Sequence, residues 1–348
     1  MRKTFYLCKH KTNMNSDDYA GNDSNKRIIW IDMLRGFCML LILWFHTEMY
    51  YAGYDVTPYS YYVGDALAVF FFLSGFLFYS DSKPFNANRK LHSVFRWLLI
   101  PYLIFTIPLS LLKALYHHTG IGEMVVEILA GHASWFVSSL IVAELLFIVA
   151  LNLFQRRSGL MIAAALMALL YSSTIGNSAS VWYYEQDLWH VNEAMLGFFI
   201  MTMGYFFRRY ENRLRERIDS IFTLSILLVL SIGIKILIGY THPQLIFGPI
   251  IVSNYYLFIS DLLSVTLLLV VVFRRLPSVR LLEWVGQRSI VYYFIAGGIP
   301  LIVSKLLGSA GLFYCGIHST FLAFAIVCVL SSLFVWAVYR YTNIVRPV

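Results

Sequence analysis

Ten apolar segments, each close to twenty residues long, alternate with short polar connections along this chain. No other feature constrains the fold as much. The segments fall at roughly 28–50, 61–80, 95–115, 134–154, 159–176, 189–207, 219–240, 252–273, 284–304 and 314–339. About twenty apolar residues in a helix cross the hydrocarbon layer, and lipid admits only elements that satisfy their own backbone. Composition agrees: 59% of the 348 residues are hydrophobic, 13% are charged, and the mean hydropathy is +0.67. The expected fold is an all-α integral membrane bundle of about ten transmembrane helices.

The net charge of +8 does not mark a nucleic-acid surface, because the basic residues sit in short clusters between apolar segments. Lys and Arg gather before residue 28, at 83–96, 156–157, 208–217, 274–280 and 340–346, in every second connection. These clusters hold 22 of the 27 basic residues. Basic residues favour the cytoplasmic side, so the alternation places both termini in the cytoplasm. Residues 1–26 are polar and lack the apolar core of a signal peptide, which predicts a disordered cytoplasmic tail before a membrane domain at 27–348. Cys8, Cys38, Cys315 and Cys328 are scattered, implying neither a disulfide framework nor a zinc site.

Ionisable residues inside a bilayer are costly and usually face the bundle interior. The first segment carries most of them. At 100° per residue, Asp32, Arg35, Met39 and His46 share a sector of about 60°. Arg35 and His46 are eleven residues apart, roughly 16 Å along the axis and almost eclipsed. Glu48 points about 200° away from His46. One reading of this face is a polar stripe that packs helices, with Asp32 and Arg35 as an ion pair; the other is function. Sorted by depth, the polar residues form two layers. Asp32, Arg35, Arg96, Glu283 and Arg288 lie toward the cytoplasm, and the cationic members suit a phosphate-bearing ligand. His46, Asp65, Trp135, His190, Asn192, Glu193 and His318 lie toward the outside, where they suit a polyhydroxylated acceptor and a general base. Glu144 and Asp261 fall near mid-depth. Ser74 reads as a small helix-packing residue, buried mid-span with no base at predictable reach.

Residues 32–46, DMLRGFCMLLILWFH, resemble the first helix of the membrane-bound acyltransferase-3 family, an Arg followed after ten residues by a His. AVFFFLSGFLF (68–78), RWLLIPYLIF (96–105), SWFVSSL (134–140), GFFIMTMGYFFRR (197–209) and LLEWVGQRSIVYY (281–293) resemble its later blocks, in order. The resemblance implies a ten-helix enzyme moving an acyl group, usually acetyl, from cytosolic acyl-CoA to a hydroxyl of a carbohydrate or cell-envelope glycan. It maps the family's motif His onto His46 and its motif Arg onto Arg35. Two departures stand out. Lys90, His92 and Arg96 do not reproduce the family's paired arginines before the third helix, and YYFIAGGIP (292–300) lacks a His after the tyrosines.

The expected function is therefore an O-acyltransferase, most simply an O-acetyltransferase, of the plasma (inner) membrane. Its expected partners are acyl-CoA, a polysaccharide or lipid-linked glycan acceptor and membrane lipid, with no nucleic acid and no metal. His46 is the expected general base and Arg35 its catalytic companion. Arg35, Arg288 and Arg96 are the candidates for acyl-CoA, and Asp65, Glu193, Trp135 and His318 for the acceptor. Asp65 or Glu193 would fix the His46 tautomer. An acyl-imidazole intermediate is the less favoured variant. The alternative is a transporter or flippase for a lipid-linked glycan or small solute, since polar groups at two depths also serve transport. An inactive scaffold is a third reading.

Overall fold

The computed structural model describes residues 28–80, 84–117, 120–154, 157–176 and 187–342. The expected tail at 1–26 lies outside them. In chain order the helices are α1 (Ile29–Tyr51), α2 (Val63–Phe78), α3 (Ala87–Val94), α4 (Ile100–His117), α5 (Ile121–Leu129), α6 (Trp135–Phe154) and α7 (Ser158–Tyr171). There follow α8 (Val191–Ile218), α9 (Ile221–Thr241), α10 (Tyr255–Phe273), α11 (Arg280–Gln287), α12 (Ser289–Ile295), α13 (Gly298–Ser309) and α14 (Ile317–Tyr341). Two short strands, β1 (Leu245–Ile246) and β2 (Ile251–Val252), pair antiparallel with Leu245 opposite Val252.

Each apolar segment of the sequence coincides with a helix, but not each helix is long enough by itself to count as a span. Among the described residues, six helical runs are long and apolar enough to cross a membrane alone: 29–51, 87–111, 132–154, 221–241, 255–273 and 317–341. A seventh is broken, with α12 and α13 meeting at 47°. Gly297 and Gly298 favour the break and Pro300 follows within the first turn of α13, where a missing N–H is harmless. α2 has only 16 residues, 14 of them buried, so it is a central strut among other helices rather than a lipid-facing rod. α7 is likewise short. α8 runs 28 residues, but Arg208, Arg209, Arg213, Arg215 and Arg217 occupy its second half, which leaves the apolar layer.

Close approaches at glycine set the two central crossings. A Cβ on Gly75 of α2 would strike the Met201 carbonyl of α8, and one on Gly204 would strike that of Phe72. Gly36 of α1 and Gly286 of α11 face the carbonyls of Leu282 and Asp32 in the same way. Such small-residue contacts let backbones meet where lipid supplies no hydrophobic drive between helices. Around this centre α9 presents Phe222, Val229 and Ile236 outward, an apolar perimeter matched to lipid. The basic connection after α10 is tied down. Glu211 is bridged by Arg208 at 2.6 Å and by Arg274, and Arg275 donates to the carbonyls of Ile218 and Ser220 at 3.2 and 2.9 Å. These arginines join α8, α9 and α10 at one end of the bundle.

Candidate active site

Two cavities lie along α1, one beside Arg35 and one beside His46. The inner cavity, about 540 Å³, is bounded by Asp32 and Arg35 of α1, Ser74 of α2, Trp97, Glu144 of α6, and Gln287 and Ser289 where α11 meets α12. A π-helical turn, Phe95–Leu99, links α3 to α4 and turns Trp97 and Leu98 into this wall. Asp32 is buried and accepts from Gln287 Nε2 at 3.4 Å. Glu144 accepts a hydrogen bond from the Ser74 hydroxyl and lies in the fields of Lys90 and Arg35. Ser74, for which the sequence offered no base at predictable reach, thus meets a carboxylate from another helix. Lys90 closes the neighbourhood, with Nζ 4.3 Å over the Phe78 ring and 3.0 Å from the Leu77 carbonyl.

The outer cavity, about 330 Å³, is lined by Phe45, His46 and Met49 of α1, by Asp55 and Tyr59 from the α1–α2 connection, and by Trp135 and Gly248. Tyr293 of α12 lines both cavities and is their shared wall. Its hydroxyl lies near Ser134 and the backbone at Phe136. The His46 ring packs edge-on to Phe45 at 5.4 Å and stacks on Tyr50 at 6.3 Å. Among the described residues no side chain hydrogen-bonds its imidazole. Glu48 points elsewhere, as its helical phase requires. It is fully buried and accepts from Thr57 N at 3.0 Å, Thr57 Oγ1 at 2.9 Å and Tyr62 OH at 3.0 Å. These bonds hold the connection that brings Asp55 and Tyr59 to His46, and Asp55 Oδ2 accepts from Tyr59 N at 3.1 Å.

The other expected site residues divide. Trp135 shares the cavity of His46, and Gly248 sits flat against its indole, where a Cβ would not fit. Asp65 does not face His46. Lys235 Nζ lies 2.6 Å from Asp65 and 2.7 Å from Asp261, and also donates to the Ser60 carbonyl at 3.1 Å. Glu193 accepts from Ile250 N at 3.2 Å and lies 3.6 Å from His190. His318 is exposed at the start of α14 and lines neither cavity. Arg96 is exposed, 5.2 Å from the Trp97 ring, and does not line the inner cavity. Arg288, expected within a helix, occupies the non-helical junction of α11 and α12 at φ −118°, ψ 13°. Its guanidinium stacks over Trp284 and Tyr339, at 4.7 and 5.1 Å, and donates to the Trp284 carbonyl. Gly286, pressed on the Asp32 carbonyl, comes just before this junction.

One cavity beside Arg35 and one beside His46 thus lie along the same helix, with Tyr293 lining both. The model of the acyltransferase-3 family, an acyltransferase domain, matches residues 28–340. The chain belongs to the acyltransferase-3 family. The match takes in both chambers and nearly all of the described bundle. No curated protein and no solved structure matches the chain. As an acyltransferase-3 protein with several apolar spans it is a multi-pass membrane acyltransferase.

Three elements of the site escape reading from sequence: Asp55, Glu144 as the partner of Ser74, and Tyr293. Asp55 sits in a polar connection, where no periodicity indicates depth. Glu144 was visible as an intramembrane carboxylate, but its partner is 70 residues away. Tyr293 is one aromatic among many.

Proposed function

We propose that this acyltransferase-3 protein takes acetyl or a similar acyl group from cytosolic acyl-CoA and delivers it to a hydroxyl of a cell-surface glycan or its lipid-linked precursor. The observation that carries this reading is the shared wall: Arg35 lines one cavity, His46 the other, and Tyr293 both. The bundle then has ten spans with both termini in the cytoplasm, and the Arg35 chamber faces the acyl-CoA pool. Arg35 supplies a cation to the phosphates or the thioester oxygen of the donor. The roughly 16 Å of α1 between Arg35 and His46 suits an extended pantetheine arm. The outer chamber offers Trp135 and Tyr59 as flat aromatic faces for a sugar ring and Asp55 as an acceptor of its hydroxyl protons.

The chemistry needs no further group. His46, neutral, takes the proton of the acceptor hydroxyl as that oxygen attacks the thioester carbonyl. The C–S bond breaks, the ester C–O bond forms, and the CoA thiolate leaves to be protonated. Holding both substrates across α1 supplies the proximity term. The enclosing membrane is the plasma membrane.

Two measurements test this reading. Arg35→Ala should weaken acyl-CoA binding by at least tenfold in a direct assay on folded protein, the worth of one charge-assisted contact. Unchanged affinity would assign Arg35 to the Asp32 and Glu144 cluster as a packing cation. Cysteine introduced at Tyr54 should react with an impermeant thiol reagent on intact cells, whereas cysteines at Asn212 and Ser278 should react only after permeabilisation. Outside labelling of Asn212 would invert the two chambers. Glycan movement without acyl transfer by purified protein in vesicles would favour the transport reading.

A further inference from the structure

Outside the two chambers, the segment leading into α8 gathers a second cluster of functional side chains. Asp187, His190 and Glu193 place one ligand atom each within 4.8 Å of one another. They follow at intervals of three residues in the chain entering α8, where Trp189 and His190 have left-handed backbone, φ 57° and 52°. Gly131, at φ 84°, makes room for this turn, since a Cβ there would press on the Trp189 backbone. His132 joins from the turn before α6, its ring centroid 5.5 Å from that of His190 and its Nε2 3.4 Å from the Asp187 carbonyl oxygen.

The pair His190 and Glu193 stands at the separation of metal ligands rather than of hydrogen-bonded partners. His190 Nδ1 and Glu193 Oε2 are 3.6 Å apart, beyond a good hydrogen bond. Two ligands held at about 2.1 Å from a tetrahedral zinc ion are about 3.4 Å apart. A second observation points the same way. Glu193 is 2% exposed, and its Oε2 accepts no hydrogen bond among the described residues. Its other oxygen is used by Ile250 N, which holds the carboxylate in place. A buried carboxylate oxygen left without a donor is costly unless a cation meets it.

Charge agrees with geometry. Asp187 and Glu193 bring two negative charges to the cluster, and no Lys or Arg among the described residues pairs with either. The start of α8 offers at most a partial positive charge. Asp187 already answers it, accepting from Val191 N and Asn192 N at 3.2 and 3.0 Å. One dication would balance the remainder. The half-exposed Asp187 leaves a way in. One imidazole with two carboxylates suits zinc better than calcium, which asks for six or more oxygens.

We propose that Asp187, His190 and Glu193 bind a zinc ion, with water completing its coordination, and that the ion fixes the start of α8 where His132, from the turn before α6, packs against His190. Trp135, next in the chain after that turn, is a wall of the His46 chamber, and its ring lies 6.2 Å from His190. The site is thus a structural clamp beside the acceptor chamber, and it stands whether or not the acyl transfer reading does.

The test uses purified full-length protein carrying no affinity tag, stripped with a chelator and dialysed against buffered zinc chloride, with bound metal measured by mass spectrometry. About one zinc per chain is expected, with a melting temperature raised by zinc and not by equimolar calcium. Glu193→Gln and His190→Gln should each weaken zinc binding by more than the roughly 10–100-fold that supporting residues around a metal typically carry. Both should also lose the zinc-dependent rise in melting temperature. Wild-type protein that retains no zinc, or either variant binding zinc as wild type does, overturns the site. Because the wild-type stoichiometry stands alone, the proposal can fail even if a variant does not fold.

Discussion

At matched expression, His46→Ala and His46→Gln should fold, reach the membrane and bind acyl-CoA, yet transfer acyl groups about 10²–10⁴-fold more slowly, the range lost with a general base. The expectation rests on where His46 lies. It lines a cavity of its own, on the helix face it shares with Arg35, and within reach of Asp55, Tyr59 and Trp135 on the walls. No described side chain claims its imidazole, so removing it leaves no buried partner orphaned and folding should be little affected. A truncation that only weakened packing would instead lower stability and donor binding together. The measurement is transfer of radiolabelled acetyl from acetyl-CoA to surface glycan, alongside acyl-CoA binding on the same preparations. Near-normal transfer by either variant would make His46 structural and would move the search for the base to Asp55 or Glu144.

How legible this was depends on whether a relation lies within one helix or between several. Arg35 and His46 could be aligned from sequence because 100° per residue carries one to the other along a single helix. The same arithmetic correctly turned Glu48 away. Relations between helices were not available. Ser74 meets Glu144, and Asp65 meets Lys235 and Asp261, only because α2 is packed at the centre with α6, α9 and α10 around it. Asp65 looked like an acceptor ligand from its depth alone. Yet the signal that could have reassigned it was present. A Lys inside an apolar segment needs a carboxylate partner, and Lys235, Asp65 and Asp261 all lay in the apolar segments. The span count was less legible for a related reason. α2 and α7 are short, and α12–α13 is broken at Gly297, so hydropathy marks each segment without saying how each one crosses.

Lys235→Met should be among the most destabilising single changes in the bundle, by about 3–5 kcal/mol, the usual cost of removing one partner from a buried ion pair. Lys235 lies between Asp65 and Asp261 at 2.6 and 2.7 Å, with both carboxylates nearly sealed from solvent. Their second oxygens already lack hydrogen-bond partners among the described residues, so nothing else stands ready to compensate either charge. With the ammonium gone, two carboxylates face each other inside the bundle, and one or both must take up a proton or separate their helices. The same change frees the Ser60 carbonyl, next to Tyr59 on the wall of the His46 chamber, so acceptor KM should rise more than donor affinity falls. A charge-removed triple variant, Asp65→Asn with Lys235→Met and Asp261→Asn, should recover much of the loss, because deleting a whole buried cluster is far cheaper than breaking it. Melting of the purified proteins in detergent distinguishes the cases. If Lys235→Met melts with the wild type, the triad contributes no net stability. If the triple variant melts as low as the single one, the cost lies in lost packing of the lysine stem and not in stranded charge.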